Sequence, residues 1–267
     1  MRVIFNENTD PHFNLALEEN LFKKCSEEIF MLWQNRPSVI VGKNQNTHSE
    51  VDVIKAESEG IDIVRRETGG GAVYHDLGNL NYSFISNDPD GFMDFKRFAE
   101  PIFKTLEKLG IKAELSGRND FVIDGRKFSG NAQSIYHSRL LHHGTLLFDT
   151  DTEVLSSLLT VDEEKIASKG ISSVKSRVTN ISEYLENKIS VEEFKTMILK
   201  SAFEIPGAYV SDLSEEEISD AEKLKNEKYD TWDWNFGYGP PYTFHMLRKV
   251  AKAFWEVYLL LHRYNDL

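Results

Sequence analysis

Three consecutive glycines, Gly69 to Gly71, set between two strand-like runs constrain this chain more than any other feature. They lie in the stretch from Arg65 to Ile85, RRETGGGAVYHDLGNLNYSFI. A short strand pattern, Ile61-Asp62-Ile63-Val64, precedes the stretch, and a second alternating apolar run follows the glycines. Glycines in a row strip every side chain from a tight loop, so backbone N–H groups can approach a ligand closely. Arg65 and Arg66 beside the loop suit a carboxylate or a phosphate, because a guanidinium fork donates paired hydrogen bonds. Taken alone, the glycines read rather as the flexible tip of a β-hairpin. The loop matches neither the P-loop nor the dinucleotide fingerprint, so neither of those mechanisms can be borrowed.

Composition narrows what such a loop can serve. At 267 residues the chain can bury one substantial core with room for a small second unit. Lys and Arg number 31 against 43 Asp and Glu, a formal charge of -12. That balance offers no general electrostatic footprint for nucleic acid, so any phosphate site must be local. The single cysteine, Cys25, excludes an intrachain disulfide and fits a reducing compartment. The first ten residues lack a signal-peptide core, and no apolar run nears the roughly 20 residues that cross a bilayer. The expectation is a cytoplasmic protein without a membrane or nucleic-acid partner.

Along the chain, Thr9-Asp10-Pro11 predicts a helix start, a side-chain cap with proline in the first turn. The residues that follow place Phe13, Leu17 and Leu21 on one face, and Cys25 closes that series as a small apolar residue. Ile29 to Trp33 and Val39 to Gly42 read as strands joined by the turn Asn35-Arg36-Pro37-Ser38. The polar stretch holding Asn44 and Gln45 leads into a short helix over 51–59. Val73 and the run Leu80 to Ile85 read as strands. His75-Asp76 between them reads as a turn pair in which Asp76 bonds local backbone, with a proton relay as the alternative. Residues 94–109 make an amphipathic helix that Pro101 breaks at Glu100 and Gly110 ends. A strand begins at Ile111.

Asp124-Gly125 between alternating flanks is a strong hairpin signal. It places Lys127 near the start of the returning strand, with Ser129 on the same face and Phe128 opposite. A hairpin lysine is ordinarily a solvated charge. Residues 136–148 continue the sheet, where Gly144 suggests a close backbone approach. His142 and His143 are neighbours on a strand, so they face opposite ways and cannot chelate one metal. Helices are expected at Thr152 to Leu159, Val191 to Phe203 and Glu215 to Lys228. Residues 165–180 read as a solvated loop, yet Lys165, Lys169, Lys175 and Arg177 make it the densest positive segment. Near the end, Leu247, Val250, Phe254, Val257, Tyr258 and Leu261 fit one helical stripe.

Read whole, the string from Arg65 to Phe84, RRxxGGGxVxHDxGNxxxSF, resembles the lipoate–protein ligase family, relatives of the biotin protein ligases. The segments RND before the hairpin, GRKxSGxA around Lys127 and HHGTLL around His143 match the same family, and the likeness spans about residues 1–244. It implies an α/β (α+β) fold with a mixed, mostly antiparallel sheet flanked by helices. It also implies a two-step reaction: lipoate and ATP give lipoyl-AMP, and a lysine of a lipoyl carrier domain takes the acyl group. The implied carriers are 2-oxoacid dehydrogenase E2 subunits and the glycine cleavage H protein. Mg²⁺ is expected, because phosphoryl charge needs a counter-cation.

The resemblance also distributes roles. Arg66 with Gly71, Ala72, Val73 and Tyr74 would hold the nucleotide. Arg65, Gly70 and His143 would line the lipoyl site, though His143 reads almost equally as a core histidine. Lys127 would contact both the lipoate carboxyl and the α-phosphate, which suits a point charge between two anions. Asn119 and Asp120 would support it, with Asp120 either holding Lys127 or binding a metal. Lys175 and Arg177 would belong to a loop that closes over the acyl-adenylate. Residues 1–228 are expected as the catalytic domain and 229–267 as the junction and the remnant of an accessory domain, since only 23 residues follow Phe244. Two alternatives stay open. One is an ATP-independent octanoyl or lipoyl transferase with a cysteine nucleophile, which the position of Cys25 disfavours. The other is a non-catalytic binder of lipoyl domains.

Overall fold

The computed structural model describes residues 1–117, 119–159 and 178–239, with backbone alone at 242–250 and 253–261. Strand β1 (Arg2–Asn6) leads into α1 (Pro11–Lys24), where Asp10 caps the helix by accepting from the His12 N–H and Pro11 opens its first turn. Next come β2 (Ile29–Trp33), β3 (Ser38–Val41), α2 (Thr47–Glu50), α3 (Val53–Ser58), β4 (Asp62–Arg65), β5 (Val73–His75) and β6 (Asn79–Ser86). The helix expected over 94–109 is two pieces, α4 (Phe95–Phe98) and α5 (Glu100–Lys108), broken ahead of Pro101 as its missing N–H requires. Strands β7 (Ala113–Ser116), β8 (Asp120–Ile123), β9 (Arg126–Tyr136) and β10 (Arg139–Leu147) follow. The chain goes on through α6 (Thr152–Leu158), α7 (Val191–Phe203), β11 (Tyr209–Val210), α8 (Glu215–Leu224), β12 (Tyr242–Val250) and β13 (Ala253–Leu261).

Eight strands form one sheet in the order β11-β1-β2-β6-β10-β9-β8-β7, antiparallel from β2 onward and parallel where β1 meets β11 and β2. Its two faces carry separate cores. On one, Ile102, Leu106, Phe194 and Ile198 of α5 and α7 pack over Phe30, Tyr82 and Phe121. On the other, Leu17, Leu21 and Phe22 of α1 meet Ile29, Met31 and Ile85, with Ala221 of α8 and Tyr229 beyond. A second sheet of three strands, β4-β3-β5, has its own apolar cluster of Val39, Val41, Ile63 and Tyr74. The mixed, mostly antiparallel architecture expected from the resemblance is the one observed.

One expectation is overturned at the end of the chain. The stripe from Leu247 to Leu261 is not helical: β12 and β13 pair antiparallel from Tyr242↔Leu261 to Val250↔Ala253. The segment fits both periods, because Ala253, Trp255, Val257, Leu259 and Leu261 also alternate in sequence. Aromatic and β-branched content favours the strand. The hairpin at Asp124 and Gly125 is as expected, with φ of 49° and 75° in a two-residue connection between β8 and β9.

Candidate active site

A cleft opens between the two sheets. Asn131, Ala132, His143 and Gly144 of β9 and β10 line one side, and Val73, His75 and the glycine loop line the other. Leu15, Trp33 and Ile40 add apolar lining, and Lys127, Asn119 and Arg66 also line it. It encloses about 130 Å³.

The glycine loop is held from beneath by an arginine. The buried Arg66 donates from Nη2 to the carbonyls of Gly69 (2.7 Å) and Gly71 (2.9 Å), and from Nη1 to Ile40 O (3.1 Å). Burial brings its guanidinium down to about 10. Gly70 sits at φ +98°, a region that side chains disfavour, and a Cβ there would lie 2.8 Å from Arg66 Nη2. The loop in turn presses on Gly42, where a Cβ would stand 2.0 Å from Gly70 O. Gly70, Gly71, Ala72 and Val73 all line the cleft. The Tyr74 ring does not; it packs among Val39, Val41 and Ala56 in the small-sheet cluster, so only its backbone is near the loop.

Lys127 reaches the cleft across its own strand. A Cβ on Gly130 would meet Lys127 Nζ at 2.8 Å, so that glycine makes the lysine's path. Asp120 Oδ1 lies 2.8 Å from Nζ, and both side chains stay about one-third exposed, at 34% and 39%. A bulge shifts the β8–β9 register between Phe121↔Ser129 and Val122↔Lys127, leaving Phe128 over. The strict alternation expected for Lys127, Phe128 and Ser129 is therefore broken: Phe128 and Ser129 are both fully buried. Asn119 is tied to Asn131 in both directions, through Nδ2 to Asn131 O (2.6 Å) and from Asn131 Nδ2 to Asn119 O (3.0 Å). Gly144 has the close approach expected of it, with Asn131 Oδ1 2.1 Å from where a Cβ would be.

Beneath the cleft runs a buried polar chain. His143 Nδ1 lies 2.9 Å from Glu18 Oε2, and its Nε2 lies 2.7 Å from Thr68 Oγ1. Ser83 Oγ donates to Glu18, and Trp33 Nε1 donates to Ser83 Oγ. Arg66 Nε donates to Thr68 Oγ1 at 3.1 Å, so one hydroxyl links the arginine to the histidine. His142, facing the other way, is bonded to Tyr82 OH and Gln133 within the aromatic core.

His75 resolves the turn-or-relay question. Burial first, then Arg66 and His143, push it down to about 3, so it is neutral and cannot relay protons near neutrality. Asn35 Nδ2 donates to its Nδ1 at 3.0 Å, which puts the proton on Nε2. That buried Nε2 has no partner among the described residues. Asp76 behaves as a turn residue, accepting from the backbone N–H groups of Gly78 (2.9 Å) and Asp151 (2.8 Å).

Arg65 departs from its expected place. It is fully buried outside the cleft, and its guanidinium donates to the carbonyls of Gly42, Lys43, Gln45, Trp234 and Asn235 and to Thr47 Oγ1. With its donors committed to these oxygens, the side chain has nothing left for a lipoyl group. Gln45 also turns inward, accepting from the Gly42 N–H at 2.9 Å. Cys25 caps α1 and lies outside the cleft. Its thiol donates to Glu217 at 3.4 Å, and burial together with that carboxylate pushes it up to about 11. Lys165, Lys169, Lys175 and Arg177 lie outside the described residues.

The residues missed from sequence are Glu18, Thr68, Trp33 and Asn35. The available signal was in α1, where Asn14, Glu18, Glu19 and Asn20 interrupt an apolar face and are all buried. A buried carboxylate must find a partner, and here it is a histidine 125 residues away.

Against known proteins, the family described as the lipoyl protein ligase A/B catalytic domain matches residues 10–203. Lipoate–protein ligase 1 of Staphylococcus aureus is 46% identical over 261 residues, covering 96% of this chain and 80% of that one. A bipartite lipoate protein ligase of Thermoplasma acidophilum, described with its E2 lipoyl domain, superposes with a TM-score of 0.78 at 31% identity, covering 94% of this chain and 98% of the other. A lipoate-protein ligase A bound with ATP gives 0.77 at 29% identity, covering 89% and 98%. The chain belongs to the lipoyl protein ligase A/B catalytic domain family. It is a lipoate–protein ligase, an enzyme of the adenylating acyl-transfer class.

Proposed function

We propose that the cleft between the sheets joins lipoate to ATP and then hands the lipoyl group to a lysine of a lipoyl carrier domain. In the first step a carboxylate oxygen of lipoate attacks the α-phosphorus, and pyrophosphate leaves. In the second, the acceptor amine attacks the acyl carbon, an amide forms and AMP leaves. The observation that carries this reading is the mixed lining of one cleft: Leu15, Trp33 and Ile40 are apolar, while Lys127, Arg66 and the glycine-loop backbone share the same space. An apolar acyl tail with a carboxylate head fits such a lining.

Residue roles follow from position. Lys127 lies between carboxylate and α-phosphate and offsets the charge that builds as they meet. Gly71 to Tyr74 bring backbone to the nucleotide, Gly70 stays on the lipoyl side, and Arg66 keeps that backbone in place. His143, fixed by Glu18 and Thr68, flanks the lipoyl chain. Asn119 and Asp120 steady the lysine hairpin. Lys175 and Arg177 are assigned to closing over the adenylate on the resemblance alone.

Mg²⁺ belongs in this reading as an ion carried by the phosphates. Among the described residues there is no group of three His, Cys, Asp or Glu side chains that could hold a metal, and Mg²⁺ commonly takes one or two carboxylates plus phosphate oxygens. Asp120 would supply the carboxylate, and the ion would neutralise pyrophosphate charge. We assign residues 1–228 to the catalytic unit and 229–267 to a junction and accessory segment, and place the enzyme in the cytoplasm with its 2-oxoacid dehydrogenase or glycine cleavage carriers. No helix among the described residues is long and apolar enough to cross a membrane.

Lipoate-dependent exchange between ATP and labelled pyrophosphate tests the reading. Exchange that depends on both lipoate and ATP is expected. Its absence from folded protein, with lipoyl-domain binding retained, would leave a binder in place of the enzyme.

A further inference from the structure

Asn235 and Trp234 of the junction after α8 grip the catalytic unit at Arg65. Asn235 is 4% exposed. Its Oδ1 accepts from the Arg65 backbone N–H at 2.9 Å, and its own carbonyl accepts from Arg65 Nη2 (3.1 Å) and Thr47 Oγ1 (2.6 Å). Its Nδ2 donates to Tyr229 O at 2.7 Å, which fixes the amide's orientation. Trp234 completes the grip, donating from Nε1 to Arg65 O and accepting from Arg65 Nε.

Arg65 passes this grip on to the cleft. Its Nη1 gathers the carbonyls of Gly42 (3.0 Å), Lys43 (3.0 Å) and Gln45 (2.6 Å), so one guanidinium shapes the turn after β3. The glycine loop rests on that turn: Lys43 N–H donates to Thr68 O at 2.9 Å, and Gly42 leaves no room for a Cβ beneath Gly70 O. A buried cation whose hydrogen-bond partners among the described residues are all neutral oxygens is an expensive way to stabilise a fold, because apolar packing would do it without desolvating a charge. What the guanidinium adds is geometry, since a planar fork sets several carbonyls at once.

We propose that Asn235 is a positioning residue for the glycine loop, acting through Arg65 and the turn of Gly42 to Gln45. The inference rests on the reading that this loop holds the nucleotide, and it makes the junction a working part of the adenylation site.

The test compares Asn235→Ala and Asn235→Asp with Trp232→Ala, an exposed neighbour in the same segment. Amide hydrogen exchange at Gly42, Lys43, Gln45 and Arg66 reads the loop's support without any ligand. Asn235→Ala should speed it about tenfold or more beyond the Trp232→Ala control, as loss of the two buried hydrogen bonds of its side chain predicts. Asn235→Asp keeps the acceptor for the Arg65 N–H but turns a carboxylate oxygen on Tyr229 O, so its exchange should fall between that of Asn235→Ala and the natural chain. In the pyrophosphate-exchange assay, Asn235→Ala should raise KM for ATP about tenfold and leave KM for lipoate within about twofold. Unchanged amide exchange overturns the inference, as does an equal rise in both KM values. Faster amide exchange with KM for ATP unmoved keeps the support role and overturns the nucleotide reading of the loop. If Asn235→Ala does not fold, Thr47→Val removes a shared partner of Arg65 and Asn235 and must give the same pattern.

Discussion

Thr68 Oγ1 and His143 Nε2 lie 2.7 Å apart, joining the base of the glycine loop to the strand that lines the opposite side of the cleft. Because Arg66 Nε also donates to this hydroxyl, one threonine serves both the loop-holding arginine and the Glu18-bound histidine. Thr68→Val should leave both groups short of a partner and lower stability by about 1–3 kcal/mol. Thr68→Ser should restore most of it. Denaturant unfolding of the two variants checks this, and equal losses would remove the hydroxyl from the account.

Lys127→Ala should cut lipoate-dependent pyrophosphate exchange by more than about tenfold, or over roughly 1.4 kcal/mol of barrier. Its stability should barely change, since the side chain is one-third exposed and its pair with Asp120 is a partly solvated one. Retained exchange would take the lysine out of the reacting centre.

Gly42→Ala should damage activity while sparing the cores. The added methyl would stand 2.0 Å from Gly70 O, and both partners are backbone, so the loop must move. Overpacking of this kind costs about 1–3 kcal/mol. Nucleotide affinity should fall further than lipoate affinity, which isothermal titration with each ligand separately would measure.

Cys25→Ser should leave lipoyl transfer unchanged. A thiol pushed up to about 11 by burial and by Glu217 is protonated at neutral pH, and it lies outside the cleft. Loss of transfer in a folded serine variant would revive a thiol mechanism.

Glu67 should dominate part of the acid limb of stability. Burial pushes its carboxyl up, but hydrogen bonds from Lys228 and Lys43 outweigh that and hold it at about 2, below the ordinary 4.5. A depressed carboxyl stabilises the fold above its unfolded pKa, and that contribution fades as pH falls from about 4.5 toward 2. Glu67→Gln should therefore be less stable at neutral pH and lose less on acidification through that window. Glu217, held at about 2 chiefly by Arg2, titrates in the same window and is the control to substitute in parallel.

The local pieces follow from residue chemistry alone. Asp10-Pro11, Pro101, Asp124-Gly125 and the glycine run each act through their own φ, missing donor or missing Cβ, so their consequences hold wherever the chain goes. The family strings around Arg65, Lys127 and His143 likewise marked the cleft, and Gly70, Gly71, Arg66, Lys127 and His143 do line it. Where each buried donor is spent depends on contacts between distant segments. Arg65 and Arg66 are adjacent in sequence and chemically identical, yet one grips the junction and the other the glycine loop, because Asn235 stands 170 residues away and Gly69 stands three. The pairing of Glu18 with His143 across 125 residues is of the same kind. The final strands were missed for a related reason: their apolar pattern satisfies both periods, and a strand's hydrogen bonds are made with a partner segment, which no window of local sequence contains.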